Sequence, residues 1–408
     1  MTRRYSGNAA DSDDAVNRRD LLKATGGVGA IGLTGLAGCL GGGNGDGDGG
    51  GEDDGPDGDG ETSRLDGDSE PDKPDSITVR AWGGVWQESL QSSVGDPFTE
   101  ETGIDVTYDN SDIQVTANNI RSAVNQDREP PVNVNWSIVV FVHRAFRQGL
   151  TAPLSPEVVG NLDRMRGMAK PDVEGDLPYV GLYSYTYALC YNEEALESVE
   201  GSPDPVSSWD ALTESQYEDW VGIYNDPPGD GLYPVLAELA DVELGPADEL
   251  DPMWEYLEEW KPSVGFLGTD ASLLQNLREG EIAYAAGYLP NNVLQPKEEG
   301  EPLGWTVPEE GATVRMDCMY TPKNQTESEL YWSQKFVDFA LQRERQRDWM
   351  EGLQVPMLND EVEPLEWMEG DPAFPTTDEE FDALLETDLD RYTEYSPEWF
   401  DRFSQVIS

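Results

Sequence analysis

The sequence predicts an α/β protein built as two units, and three observations carry that prediction. Short β-like apolar runs alternate with helix-like segments, the rhythm of a parallel sheet covered by helices. Once the leader and linker described below are set aside, roughly 330 residues remain, more than one domain usually holds. The later strands return to both halves of the chain, so two units sharing interleaved strands fit better than one very large sheet. A hydrophobic content of 37%, with 12 Trp and 17 Tyr, is enough to fill a real core.

In chain order, Ile77–Trp82 alternates as a strand. Val85–Thr102 is predicted helical from Leu90, Val94 and Phe98 at spacings of four, with Gly95 and Pro97 breaking or kinking it and Gly103 ending it. Ile104–Tyr108 gives a second strand, Val115–Asn125 a helix and Val134–Val142 another apolar strand. Phe146–Leu150 and Pro153 then lead to a further helix. A second set begins near Tyr187. It places strands at Tyr187–Tyr191, Val221–Tyr224 and Ile282–Ala286, and helices at Leu232–Ala240, Met253–Trp260 and Leu273–Leu277. Ala312–Thr321 is a long strand ending at Pro322, and the chain from about Asp360 reads as helical and acidic.

The first 39 residues read as an export address. Arg18-Arg19 precedes the short apolar stretch Ala24–Gly38, too short to span a bilayer core of ~30 Å. Twin arginines in this setting are the pattern of a Tat signal, and Leu36-Ala37-Gly38-Cys39 makes Cys39 the lipidated first residue of the mature chain. A Gly- and Asp-rich run, residues 40–75, follows as a disordered acidic tether. These features predict a protein on the outer face of the cell membrane.

Asp and Glu number 82 against 26 Lys and Arg, a formal net charge of -56 spread along the whole length. Such a surface repels itself at low ionic strength and becomes tolerable at molar salt, where the Debye length falls to ~3 Å. This predicts a halophilic, haloarchaeal source. A nucleic-acid partner is excluded by the lack of a basic face. The single His143 argues against His-based metal sites and hydrolytic triads. No calcium loop with alternating Asp and a distal Glu is present in the body.

At this point a family resemblance emerges. Ala81-Trp82-Gly83-Gly84 followed by Phe98-Thr99-Glu100-Glu101-Thr102-Gly103-Ile104-Asp105-Val106 resembles the opening of the solute-binding proteins of ABC importers, in the spermidine/putrescine-receptor branch. The likeness continues in register through Ser184–Asn192, Ser207–Leu212, Leu277–Ile282, Val307–Gly311 and Met316–Asn324, and weakens after Asp360. It implies a two-lobed, type II periplasmic-binding-protein-like fold that closes on its ligand through hinge crossovers. Lobe 1 would be residues 77–185 plus 317–362 and lobe 2 residues 186–316 plus 363–408. The resemblance also implies a monomeric, non-enzymatic receptor without cofactor or metal, whose partners are a small solute, a permease and its ATPase. On this layout Cys190 and Cys318 fall just past crossings, which suggests either a disulfide near the hinge or two buried thiols.

Candidate ligand residues follow from the resemblance and from chemistry together: aromatic faces and carboxylates suit a cationic solute. Trp82, beside the tight Gly83-Gly84 turn, and Trp86, one helical turn on, face the cleft or fill the core. Asp226 and Asp230 lie in a loop resembling the family's acidic ligand loop, and either could instead cap a helix. Tyr185 and Tyr288 are site aromatics or hinge packing. Asp317 resembles a carboxylate that holds an amine. Arg315 stands where the family's polyamine receptors place an aromatic, which favours a carboxylate or phosphonate ligand unless Arg315 pairs with Asp317 or points to solvent. The solute is therefore predicted as polyamine-like, or as anionic or zwitterionic. The competing functions are a secreted hydrolase using Asp226 and Asp317 as acid and base, and a surface adhesion module, which the absence of repeats disfavours.

Overall fold

The computed structural model describes residue 65 and residues 70–408, apart from 174, 200, 202 and 203; the twin arginines, Cys39 and the tether up to residue 64 lie outside the described residues. Eleven described strands form one curled, mixed sheet. They are β1 (Ser76–Arg80), β2 (Asp105–Asp109), β3 (Val134–Ile138), β4 (Thr151–Ala152), β5 (Val180–Asn192), β6 (Val221–Tyr224), β7 (Val264–Gly268), β8 (Tyr284–Tyr288), β9 (Leu303–Thr306), β10 (Thr313–Pro322) and β11 (Leu385–Glu386). The order β2-β1-β3-β10-β5-β8-β6-β7 has two parallel groups, β2-β1-β3 and β8-β6-β7. The antiparallel strands β10 and β5 lie between them. Helices flank each group, giving the two-lobed α/β architecture expected from the sequence.

The thirteen-residue β5 joins the two groups. Its residues from Val180 to Tyr187 pair with β10, whereas from Ala188 onward it pairs with β8 and β9. All but one of its residues are buried, and every residue of β10 is buried, Arg315 and Asp317 included.

Local sequence signals are honoured at the edges. The predicted kink near Gly95 is a π-helical turn, Gln91–Gly95, between helices Val85–Leu90 and Asp96–Thr102. Gly103 ends the second helix with φ 76°, a left-handed cap that glycine adopts without a Cβ clash.

Four expectations need correction. The apolar run Val134–Val142 is not one strand: β3 stops at Ile138 and a helix, Val139–Arg147, begins. Val139, Val140, Val142, His143 and Ala145 are the buried face of that helix, a period that continuous apolarity concealed. Between Pro153 and β5 the described residues hold no α-helix, only the 3₁₀ turns Gly160–Arg164 and Gly167–Ala169. Beyond Asp360 the regular helices are Asp378–Asp382 and Leu389–Ile407, with mainly irregular chain before them. The reading also passed over β7, β9 and the helices Pro290–Glu298, Glu327–Ala340 and Arg343–Leu353.

The fourth correction concerns the cysteines, which are two free, buried thiols rather than a disulfide. Cys318 lies opposite Gly181 on β5, whereas Cys190 is nine residues further along that strand and opposite Ala285. At about 3.3 Å per residue, that puts them on the order of 30 Å apart, far beyond the separation a bridge can span. Alkylation without reductant should therefore leave Cys190 and Cys318 unlabelled in the native protein and label both after unfolding; a mass showing either thiol already bridged would contradict the fold.

Candidate functional site

A cavity of about 600 Å³ opens between the two strand groups. The β5–β10 ladder supplies its floor. Side chains alternate across a strand, so Tyr183, Tyr185 and Tyr187 share one face of β5. Register sets Asp317 opposite Tyr183 and Arg315 opposite Tyr185.

Asp317 is 3% exposed and lines the cavity. Its Oδ2 accepts from Tyr183 Oη at 2.6 Å and from Trp82 Nε1 at 2.8 Å, while its Oδ1 has no partner among the described residues. Burial raises its pKa above the ordinary carboxylate range, opposed by those two hydrogen bonds, by the charge of Arg80 and by the nearby Trp136 indole. The Arg80 guanidinium lies 3.9 Å from the centre of the Trp82 ring and donates to the Trp136 carbonyl. Trp82 is thus held by Arg80 and Asp317. Trp86 stacks on Tyr183, with ring centroids 6.0 Å apart, and also lines the cavity, serving core and site together.

Across the cavity, Asp226 and Asp230 come from the loop after β6. Asp230, 3% exposed, caps no helix: the helix that follows, Tyr233–Leu239, has Leu232 at its N-cap and no side-chain cap. Its Oδ2 accepts from Arg315 Nη1 at 2.8 Å and its Oδ1 from Tyr392 Oη at 2.8 Å. Arg315 is 2% exposed, makes its ion pair with Asp230 rather than Asp317, and lies between the rings of Tyr187 and Tyr392, 5.2 and 4.9 Å from their centres. Burial works against its charge, and the Asp230 carboxylate outweighs that, holding its pKa above the ordinary range. The guanidinium sits behind the cavity wall and does not line it.

Tyr288 does not line the cavity either. It is buried, donates to the Asp270 carbonyl at 2.8 Å and accepts from Asn292 Nδ2 at 3.1 Å, so it fixes the start of the helix Asp270–Arg278. Asp270 does line the cavity. Its carboxyl is pushed up to about 6, by desolvation first and then by Asp226 and Asp230. Asp270 keeps an exposed face to water beside the like charges of Asp226 and Asp230. Tyr185 lines the cavity with its Oη unpartnered among the described residues.

Of the residues proposed from sequence, the cavity brings together Trp82, Trp86, Tyr185, Asp226, Asp230 and Asp317. It adds Asp112, Phe141, Arg144, Tyr183, Tyr187, Tyr224, Asp270, Tyr392 and Phe400, which the sequence reading did not name. Tyr183 and Tyr187 carried a usable signal, the Tyr-x-Tyr-x-Tyr alternation of a strand with one polar-aromatic face. Asp270 looks like any acidic residue in a first helical turn, and nothing local marks Tyr392.

Buried Trp and Tyr faces and inward carboxylates make this a cleft suited to binding a small solute. Residues 93–376 match the family described as bacterial extracellular solute-binding protein. The chain belongs to that family, whose members are the non-enzymatic binding components of ABC transporters. It is 23% identical over 316 residues to the putrescine-binding periplasmic protein SpuD of Pseudomonas aeruginosa, covering 72% of this chain and 83% of that one. It is 24% identical over 274 residues to the putrescine-binding periplasmic protein PotF of Escherichia coli, covering 60% and 69% respectively. The crystal structure of a putative extracellular solute-binding protein from Bordetella parapertussis superposes with a TM-score of 0.67 at 19% identity, covering 82% of this chain and 99% of that one.

Removing one partner of a buried ion pair strands the other charge, at a cost of about 3–5 kcal/mol. Arg315→Met should therefore destabilise the fold by that amount in denaturant titrations at fixed salt. Asp230→Leu added to Arg315→Met should recover most of the loss.

Proposed function

We propose that this protein is a lipid-anchored receptor that captures an amine-bearing cation and delivers it to an ABC permease. One observation carries the reading. Five carboxylates line the cavity (Asp112, Asp226, Asp230, Asp270 and Asp317) against one guanidinium, Arg144, and the buried Arg315 is committed to Asp230. An ammonium placed against Asp317 Oδ1, with Trp82 and Trp86 beside it, would satisfy the buried unpartnered oxygen and gain cation–π attraction. The putrescine binding named for the two relatives agrees with this chemistry. Export by the Tat route, lipidation of Cys39 and a halophilic, archaeal setting complete the proposal, on the sequence patterns given above.

Capture would proceed by closure of lobe 1 (77–185 plus 317–362) on lobe 2 (186–316 plus 363–408), near the point where β5 changes partners. A ligand touching both groups of strands shifts the population toward the closed form, which the permease and its ATPase would recognise. A second reading, a zwitterion, has one supporting observation: Arg144 lines the cavity and could hold a carboxylate.

A thermal-shift and tryptophan-fluorescence screen at molar salt should show amines raising Tm and changing the emission, with phosphonates and dicarboxylates inert. Asp317→Asn should weaken amine binding by roughly 30-fold or more. Protonating a carboxylate removes the charge an ammonium pairs with, so affinity should fall as pH is lowered through about 6, where Asp270 titrates. Stabilisation by anionic solutes alone would overturn the amine reading.

A further inference from the structure

We infer that Asn324 is a glycosylation site, whose Nδ2 accepts an oligosaccharide on the outer face of the membrane once the chain is folded; the order of events rests on the Tat route proposed above. Asn-x-Ser/Thr is the acceptor pattern of exported proteins. The sequence holds two such triplets, Asn135-Trp136-Ser137 and Asn324-Gln325-Thr326. The fold separates them. Asn135 is 6% exposed and Ser137 fully buried, on β3 between β1 and β10. No enzyme reaches that triplet without dismantling the sheet. Asn324 and Thr326 are both exposed, in the turn between β10 and the helix Glu327–Ala340.

The turn itself suits an acceptor. Asn324 has φ 67°, the left-handed conformation that asparagine tolerates better than bulkier residues. Its Nδ2 donates to the Val124 carbonyl at 3.1 Å in an exposed contact, which uses one of its two hydrogens. Thr326 is tied down only by the exposed capping box it forms with Glu329, so presenting its hydroxyl opens a helix end and leaves the sheet intact. Strand β10 runs on from Asp317 to Pro322, about 16 Å at ~3.3 Å per residue, so bulk on Asn324 leaves the cleft free. On the same helix Ser328 donates to the Asp72 carbonyl at 2.5 Å and Trp332 to the Pro71 carbonyl at 3.3 Å. The triplet therefore lies beside the point where the chain arrives from the proposed anchor, convenient for a membrane-embedded transferase. In the step, Nδ2 attacks the anomeric carbon of a polyprenyl-phosphate-linked oligosaccharide. The C–N bond forms as the C–O bond to phosphate breaks; the lipid phosphate leaves with that electron pair, and Nδ2 gives one proton to a base of the transferase.

The test is mass spectrometry of the protein extracted from the membranes of its own cells. Peptides holding Asn324 should carry an added glycan mass, located on that side chain by fragmentation, and peptides holding Asn135 should carry none. Asn324→Gln should abolish the added mass. Thr326→Asp keeps an oxygen to cap the helix but removes the hydroxyl, and should abolish it too, whereas Thr326→Ser should retain it. Melting curves at molar salt confirm that each variant is folded. Asn324 peptides at their bare mass in the native protein would overturn the inference and leave the receptor reading standing. So would a glycan that persists in Thr326→Asp, or one on Asn135, which only an unfolded chain could accept.

Discussion

The cleft depends on the antiparallel ladder between β5 and β10. It lies between the two parallel strand groups, and β5 goes on to pair with the second. Because side chains alternate with period two, register decides which groups see the cavity. As paired, β10 turns Asp317 toward Tyr183 and Trp82, while its neighbours Met316 and Cys318 are carried to the opposite face. A slip of one residue would exchange the ligand carboxylate for a sulfur. The register shift between Asp317 and Cys318 comes immediately after the carboxylate is placed. The ladder is thus both scaffold and aiming device.

Electrostatics then separates structural charge from charge left for a solute. Arg80 stacks on Trp82 and lends its charge to Asp317, stiffening a site that keeps one free oxygen. Arg315 does the reverse for Asp230, whose two oxygens are taken up within the wall by Arg315 and Tyr392. One arginine therefore prepares a carboxylate for a ligand and the other withdraws one. In a chain of net charge -56 the surface acids are numerous and, at high salt, individually weak. The desolvated carboxylates differ in kind, because burial leaves their need for a counter-ion unscreened.

Much of this was legible in the sequence and some could not be. The alternation of apolar runs gave the α/β class, Gly103 gave the end of a helix, and the Gly83-Gly84 turn beside Trp82 marked a residue that does line the cavity. The direction of Arg315 was not legible: a strand residue's face is known only once its register is known, and Asp230 lies 85 positions away. The choice between a disulfide and two buried thiols was not legible for the same reason. Proximity to a crossing in sequence says nothing of position along a thirteen-residue strand. The Val134–Val142 run was ambiguous because a mainly apolar stretch such as Ile138–Val142 suits a buried strand and a buried helix face equally. Asp270 was invisible because acidic first turns are common, and only the β6–β7 register gives it a neighbour.

The C-terminal helix Leu389–Ile407 shows how one late segment binds these parts together. Tyr392 reaches back to hold Asp230, and Phe400 joins the cavity wall. Asp390 accepts from His143 at 2.8 Å and pairs with Arg147, both on the helix that follows β3. Arg144 of that same helix contacts Ser396. The wall beside the ladder is therefore a contact between a segment near β3 and one from the end of the chain. Any movement of one strand group against the other must carry this contact or break it. One of the polar links across it includes the single histidine, while Tyr392 packs on Trp399 and Phe400 within the C-terminal helix, and those two also pack on Tyr233.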